Sequence, residues 1–187
     1  MPNIKRGMMG AAGGTVAGDN LYVSGDGAAG RLGLGSTVLY SSPVQLGDSE
    51  WTMAGAGGRQ GLGIKSDDGM YNWGKNNRGQ VGDGTVIDRS SPVQIGALSW
   101  AWVSGGSAHS TGVTTDSKLY TWGGNANGEL GIGTNVQASV PVQVGSLTTW
   151  LRSSGGIDNS VALKTDGTIW SWGNGAYGAL GNGSSVK

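Results

Sequence analysis

The chain has 187 residues, among them 39 glycines, four prolines, eight tryptophans and no cysteine, and its 12 basic and 12 acidic side chains cancel. Zero net charge with scattered lysines and arginines excludes a broad nucleic-acid or anionic-membrane surface. The lack of cysteine excludes a disulfide framework and thiolate metal sites, and no stretch has the roughly 18 apolar residues of a membrane helix. Glycine and proline at about twice their usual share would mark a disordered chain if they were aperiodic. The eight tryptophans and 36% hydrophobic content argue for a folded core instead, so the point to settle is whether the glycines have a period.

In chain order, Lys5 and Arg6 precede a Gly/Ala-rich stretch over 7–17 that loosely mimics a leader. It is too weakly apolar for one, and the repeat register gives a better reading. The first strand signal is Tyr22-Val23-Ser24-Gly25, followed by Gly30, Leu32, Gly33 and Gly35. The same segment returns complete as Tyr71-Asn72-Trp73-Gly74 with Gly79, Val81, Gly82 and Gly84, then as Tyr120-Thr121-Trp122-Gly123 and as Trp170-Ser171-Trp172-Gly173. The intervals from Ser24 to Trp73, Trp122 and Trp172 are 49, 49 and 50 residues. Two further markers keep this register: Pro43, Pro92 and Pro141 in Pro-Val-Gln segments, and Trp51, Trp100 and Trp150. The expected organisation is one domain of four repeats: a degraded one over 1–50, then 51–99, 100–149 and a truncated fourth over 150–187.

Within the third repeat, residues 100–103, 110–114 and 118–122 read as strands closed by Gly or Asp turns. A short fourth strand over 141–144 carries proline at its first residue, where a missing donor costs least. No segment shows a helical apolar period over three turns. Four strands per repeat with this period predict an all-β propeller of four-stranded blades. Trp51, Trp73, Trp100, Trp122, Trp150 and Trp172 are its expected core, stacked between neighbouring blades.

The run Trp73-Gly74-Lys75-Asn76-Asn77-Arg78-Gly79-Gln80-Val81-Gly82-Asp83-Gly84 resembles the regulator of chromosome condensation repeat, as does Gly105-Gly106-Ser107-Ala108-His109 upstream of the next Trp-Gly. The resemblance covers essentially the whole chain. It implies a β-propeller, usually seven-bladed, with blades of about 50 residues. Two features depart from the pattern. The family histidine occurs once, at His109, with Gln60 and Asn159 at its equivalents, and four repeats are fewer than the usual ring. Closure then needs another chain to complete a partial ring, unusually few blades, or further sequence; alternatively the repeats do not close. The founding member exchanges nucleotide on a small GTPase and binds nucleosomes. No basic tail here supports carrying that over. A bacterial relative that inhibits β-lactamases implies only that the scaffold can bind proteins. The Ser-Ser-Pro-Val-Gln cadence, the Gly-Met-Met-Gly-Ala-Ala start and the low charge are also similar to short repeat proteins of phages and environmental microbes.

No candidate chemistry outweighs a structural reading. Gly25-Asp26-Gly27-Ala28-Ala29-Gly30 and residues 173–178 match G-x-G-x-x-G, but they lie at the repeat's turn and not at the start of a helix in a βαβ unit. His109, the sole histidine, has no nucleophile elbow beside it. The Asp-Gly pairs at 68–69 and 166–167 read as hairpin turns, not calcium ligands. Asn182-Gly183-Ser184 fits a glycosylation acceptor only as a three-residue match. No cofactor or metal is expected, and the chain is read as non-enzymatic. The turn after each Trp-Gly changes in charge and size while its frame holds, which makes Asp26, Lys75, Asn76, Asn77, Arg78, Asn125, Asn127, Asn174 and Tyr177 candidate interaction residues. Trp102, whose equivalents vary between repeats, is a candidate for protein or glycan contact. The expected function is display: a phage virion structural or adhesion component, or alternatively a carbohydrate- or protein-binding propeller of a bacterial surface or secreted protein. Its expected partners are proteins, a second copy or a glycan, and its expected location is the virion or otherwise the bacterial surface or extracellular space.

Overall fold

The computed structural model describes residues 19–48 and 50–183. The segment read above as leader-like, the first part of repeat one and Ser184 of the glycosylation match lie outside them. The described chain is all-β with two short 3-10 turns. Strands β1 (Tyr22–Gly25) and β2 (Tyr40–Gln45) pair as a two-stranded sheet. Strands β3 (Trp51–Ala56), β4 (Gln60–Lys65), β5 (Met70–Gly74) and β6 (Arg89–Gln94) form a four-stranded meander. Strands β7 (Trp100–Gly105), β8 (His109–Thr114), β9 (Leu119–Gly123) and β10 (Ala138–Gln143) repeat it. Strands β11 (Trp150–Gly155), β12 (Asn159–Lys164) and β13 (Ile169–Gly173) form a three-stranded sheet. All pairings are antiparallel, and the four sheets are propeller blades, numbered here in chain order.

Blades two, three and four begin with the same irregularity. The pairing of β3 with β4 steps from Trp51↔Lys65 to Met53↔Ile64, and Trp100/Trp102 and Trp150/Arg152 repeat the step. One extra residue per bulge twists the innermost strand and turns the leading tryptophan inward. Glycine makes room for the ring: a Cβ at Gly112 would lie 2.6 Å from Trp100, and one at Gly63 would lie 2.5 Å from Trp51.

The core lies between blades. Leu62, Ile64, Met70, Val81 and Ile95 of blade two pack with Trp100, Val103 and Trp122 of blade three. Val113 and Leu119 of blade three pack with Trp150 and Ala162 of blade four, and Leu46 packs with Trp51 and Trp73 across blades one and two. Each blade is thus stabilised by its neighbours, the nearest-neighbour energetics of repeat proteins.

One expectation about the strands is corrected. Pro141 is not the first residue of its strand but lies inside β10, and Pro43 and Pro92 lie inside β2 and β6. These are the outermost strands of their sheets, where an N–H pointing off the sheet has no ladder bond to lose.

Candidate functional site

Antiparallel order puts the β3–β4 turn and the long loop after β5 on one face of the propeller, and the β4–β5 hairpin on the other. The long loop, residues 75–88 in blade two, is built around one side chain. Asn76 is completely buried. Its Nδ2 donates to the carbonyls of Thr85 (3.1 Å) and Ile87 (3.0 Å), and its Oδ1 accepts from Val81 N (2.9 Å). Asn125 does the same in blade three, with Thr134 (2.7 Å), Val136 (3.0 Å) and Leu130 N (2.9 Å). Blades one and four carry Gly27 and Gly175 at this position. At Gly27 a Cβ would lie 2.0 Å from the Val38 carbonyl, so the loop backbone itself occupies the place of the asparagine side chain.

A second layer fixes the loop. The Asp83 carboxylate accepts from Thr85 and pairs with Arg89. Burial acts to raise its pKa, but the Thr85 hydrogen bonds and the Arg89 guanidinium outweigh burial and hold it below the ordinary carboxylate value. Lys75 pairs with Asp88 at 3.1 Å. Gly84 N–H donates to Ser139 O of the next blade at 2.9 Å, which ties the loop tip sideways.

The sequence candidates therefore separate. Asn77 and Arg78 are exposed on the loop tip, and Tyr177 is fully exposed with a positive φ of 61°. Asp26 is exposed but engaged, capping Ala28 N and pairing with Arg31 at 3.2 Å. Asn127 bonds Glu129 through its backbone and side chain, and Asn174 accepts from Ala176 N. Asn76 and Asn125 are corrected from contact residues to buried loop-building ones, because their side chains already bond the loop backbone. Trp102 is half-buried in β7: its Nε1 donates to Ser153 O (2.7 Å) in blade four, and the Arg152 guanidinium lies over its ring at 4.8 Å.

Sequence reasoning missed an exposed aliphatic row on this face. Val38, Ile87 and Val136 are 59%, 62% and 69% exposed. They stand 49 residues apart in one register, so the spacing that revealed the blades also contained them.

Beneath the loops, polar bonds lock blade to blade. Trp73, Trp122 and Trp172 each donate an indole N–H to a loop carbonyl of the preceding blade, those of Arg31 (3.0 Å), Gln80 (3.0 Å) and Glu129 (2.7 Å). Gln60 Nε2 donates to His109 O in blade three (2.9 Å), and His109 Nε2 meets Ser160 Oγ in blade four (2.9 Å). Ser160 donates its proton to Glu129 O (2.7 Å), which makes the imidazole Nε2–H the donor to the hydroxyl. His109 is 1% exposed. Burial lowers its pKa below the ordinary value, opposed in part by the Glu129 and Asp158 carboxylates. Among the described residues, no three His, Cys, Asp or Glu side chains gather as a metal site, and no helix is long and apolar enough to cross a membrane.

Comparison with known proteins places this geometry. The family model described as the regulator of chromosome condensation (RCC1) repeat matches residues 67–113 and 116–163, and a second model of that repeat matches 153–179. No curated protein is matched by the chain. Among solved structures, human WBSCR16 superimposes with a TM-score of 0.81 at 24% identity, over 91% of this chain and 47% of its own. Yeast RCC1 (Prp20), solved bound to Kap60, superimposes at 0.79 with 20% identity, over 90% of this chain and 43% of its own. A second structure, of Prp20p from Saccharomyces cerevisiae, whose work also describes its binding to Gsp1p and histones, superimposes at 0.79 with 21% identity, over 88% of this chain and 44% of its own. The chain spans less than half the length of these proteins.

These findings correct the reading as a short phage or environmental type. With it go the virion, phage adhesion and bacterial-surface functions and locations, because the three structures that superimpose at TM-scores of 0.79 to 0.81 are of human and yeast proteins. What these structures share with the chain is the propeller fold. With the repeat model matching more than half of its residues, the chain belongs to the RCC1 repeat family.

Proposed function

We propose that the protein is a scaffold that binds a protein partner through its long-loop face. One domain of four repeats, with the boundaries expected above, is the working unit. The observation that carries this reading is the row of Val38, Ile87 and Val136, exposed in one register on three successive blades. Asn77, Arg78 and Tyr177 on the same face supply the residues that differ between blades. Side chains that stay apolar and exposed while held from beneath form a preorganised contact surface, and preorganisation lowers the ordering cost of association. The yeast relative's links to Kap60, Gsp1p and histones support a protein as the partner class.

The test is titration of the chain against Kap60, Gsp1p and core histones. Saturable binding of one of them is expected, weakened at least tenfold in a folded Ile87→Asp, Val136→Asp double variant. Binding of none, or binding unchanged in the double variant, counts against the loop face.

A further inference from the structure

On the long-loop face of blades one to three, the acidic side chains are already bonded within the chain. Asp26 pairs with Arg31, Asp88 with Lys75 and Asp83 with Arg89. Glu129 is buried, and its carboxylate accepts from the backbone N–H of Asn127 (2.8 Å) and from the side-chain amide of the same residue. Two cations of blade two differ. Arg59, in the β3–β4 turn, and Arg78, at the tip of the long loop, are exposed, and among the described residues neither guanidinium has an ion-pair partner. The residues outside the described ones contain no Asp or Glu. We infer that the protein partner of this face is acidic, and that it sets carboxylates against Arg59 and Arg78 beside apolar side chains that meet Val86 and Ile87. The inference rests on the reading of the long-loop face given above and names the chemistry of its partner.

Backbone hydrogen bonds hold both arginines in place. Lys75 N donates to Arg59 O (2.9 Å), which fixes the β3–β4 turn to the root of the long loop. Gly79 N donates to Asn76 O (2.9 Å), which puts Asn77 and Arg78 at the central positions of a tight turn. Arg78 N donates to Oε1 of the buried Gln80 (2.8 Å). A Cβ at Gly124 of blade three would lie 3.7 Å from Arg78 Cβ and 3.6 Å from Ala108 Cβ, so the root of Arg78 rests against the next blade. The backbone is thus ordered before a partner arrives, and binding need order only the side chains. Val86 and Ile87 stand in the same loop, 53% and 62% exposed.

This arrangement selects the sign of the partner. A guanidinium presents a planar fork of donors that fits a carboxylate with two parallel bonds. A basic surface meets no such complement, because reaching Asp26 or Asp88 means displacing Arg31 or Lys75 from an existing pair. Blade two is the focus: Ala108 and Asp158 take the place of Arg59, and Ala29, Asn127 and Tyr177 that of Arg78. Two unpaired cations are too few to neutralise a run of nucleic-acid phosphates, whereas acidic and apolar contacts side by side suit a protein surface.

The experiment is fluorescence anisotropy of three labelled peptides titrated with the full chain. They are Glu-Ser-Leu-Asp-Glu-Ile-Ser-Glu, the same peptide with Gln and Asn in place of its acids, and the same peptide with Lys in their place. A labelled DNA duplex is the fourth probe. Saturable binding of the acidic peptide is expected, weakening as salt rises from about 50 to about 500 mM because exposed charges are screened. An Arg59→Glu, Arg78→Glu double variant, altered only at exposed side chains, should bind the acidic peptide about tenfold more weakly, and the lysine peptide more tightly, than the parent does. No saturable binding of the acidic peptide, equal binding of the neutral one, tighter binding of DNA, or acidic-peptide affinity unchanged in the charge-reversed variant would overturn the inference. The loop-face reading fails separately, in the protein titration with Ile87→Asp and Val136→Asp, which leave both arginines in place. A protein that binds there and ignores the arginine variant would keep the loop face and overturn only the acidic partner.

Discussion

Asn76 and Asn77 are neighbours in the chain with opposite roles. Asn76 is buried and holds three backbone groups of its loop, whereas Asn77 is exposed on the tip. Replacing Asn76 with alanine orphans a buried N–H and two carbonyls, which predicts a loss of about 2–3 kcal/mol in chemical denaturation. Asn77→Ala should stay within about 0.5 kcal/mol of the parent. His109 gives a second prediction at this scale. Its folded pKa lies below the ordinary 6.5 because burial disfavours the imidazolium, so on acidification the unfolded chain takes up the proton first. The stability associated with His109 is therefore fully present above about pH 6.5, and it is lost as pH falls from there through the lowered folded value. Thermal melts between pH 7.5 and about pH 5 should show this slope, and His109→Gln, which installs the residue blade two carries as Gln60, should flatten it.

At the scale of elements, the blades were legible because tryptophan, glycine and proline all keep one 49-residue register. Which loop residue turns inward was not legible. Asn76 is committed by carbonyls nine and eleven residues later, and composition does not show how the loop folds back. The partner of Trp102 was not legible either: it follows a bulge, and its bond to Ser153 O crosses to the next blade, 51 residues along the chain. The exposed row of Val38, Ile87 and Val136 was legible in principle, since it keeps the same period. Sheet position also makes a prediction. Thr121 in β9 is paired with both β8 and β10, and its hydroxyl donates to the loop carbonyl of Leu130. Thr121→Pro removes a ladder donor and this hydroxyl together, and should cost about 2–4 kcal/mol in urea denaturation.

At the scale of the whole molecule, the packed positions and the exposed variable positions occupy different parts of the repeat. Tryptophans, glycines and the Gln60–His109–Ser160 bonds lie between blades, where each sheet holds the next. The exposed variable positions lie on the loop face, and the opposite face carries the short hairpins at Asp67–Asp68, Asp116–Ser117 and Asp166–Gly167. Low charge follows from this division, because most of each repeat is strand, turn or inter-blade core. On the proposed reading, the division makes the partner surface one face of a stiff array. Amide hydrogen exchange on the complex with whichever of Kap60, Gsp1p or histones binds tests this most directly. The account predicts added protection at residues 77–78, 86–87 and 135–136, with the hairpins at 67–68, 116–117 and 166–167 unchanged. Protection confined to the hairpins, with the loops exchanging as in the free chain, would contradict it.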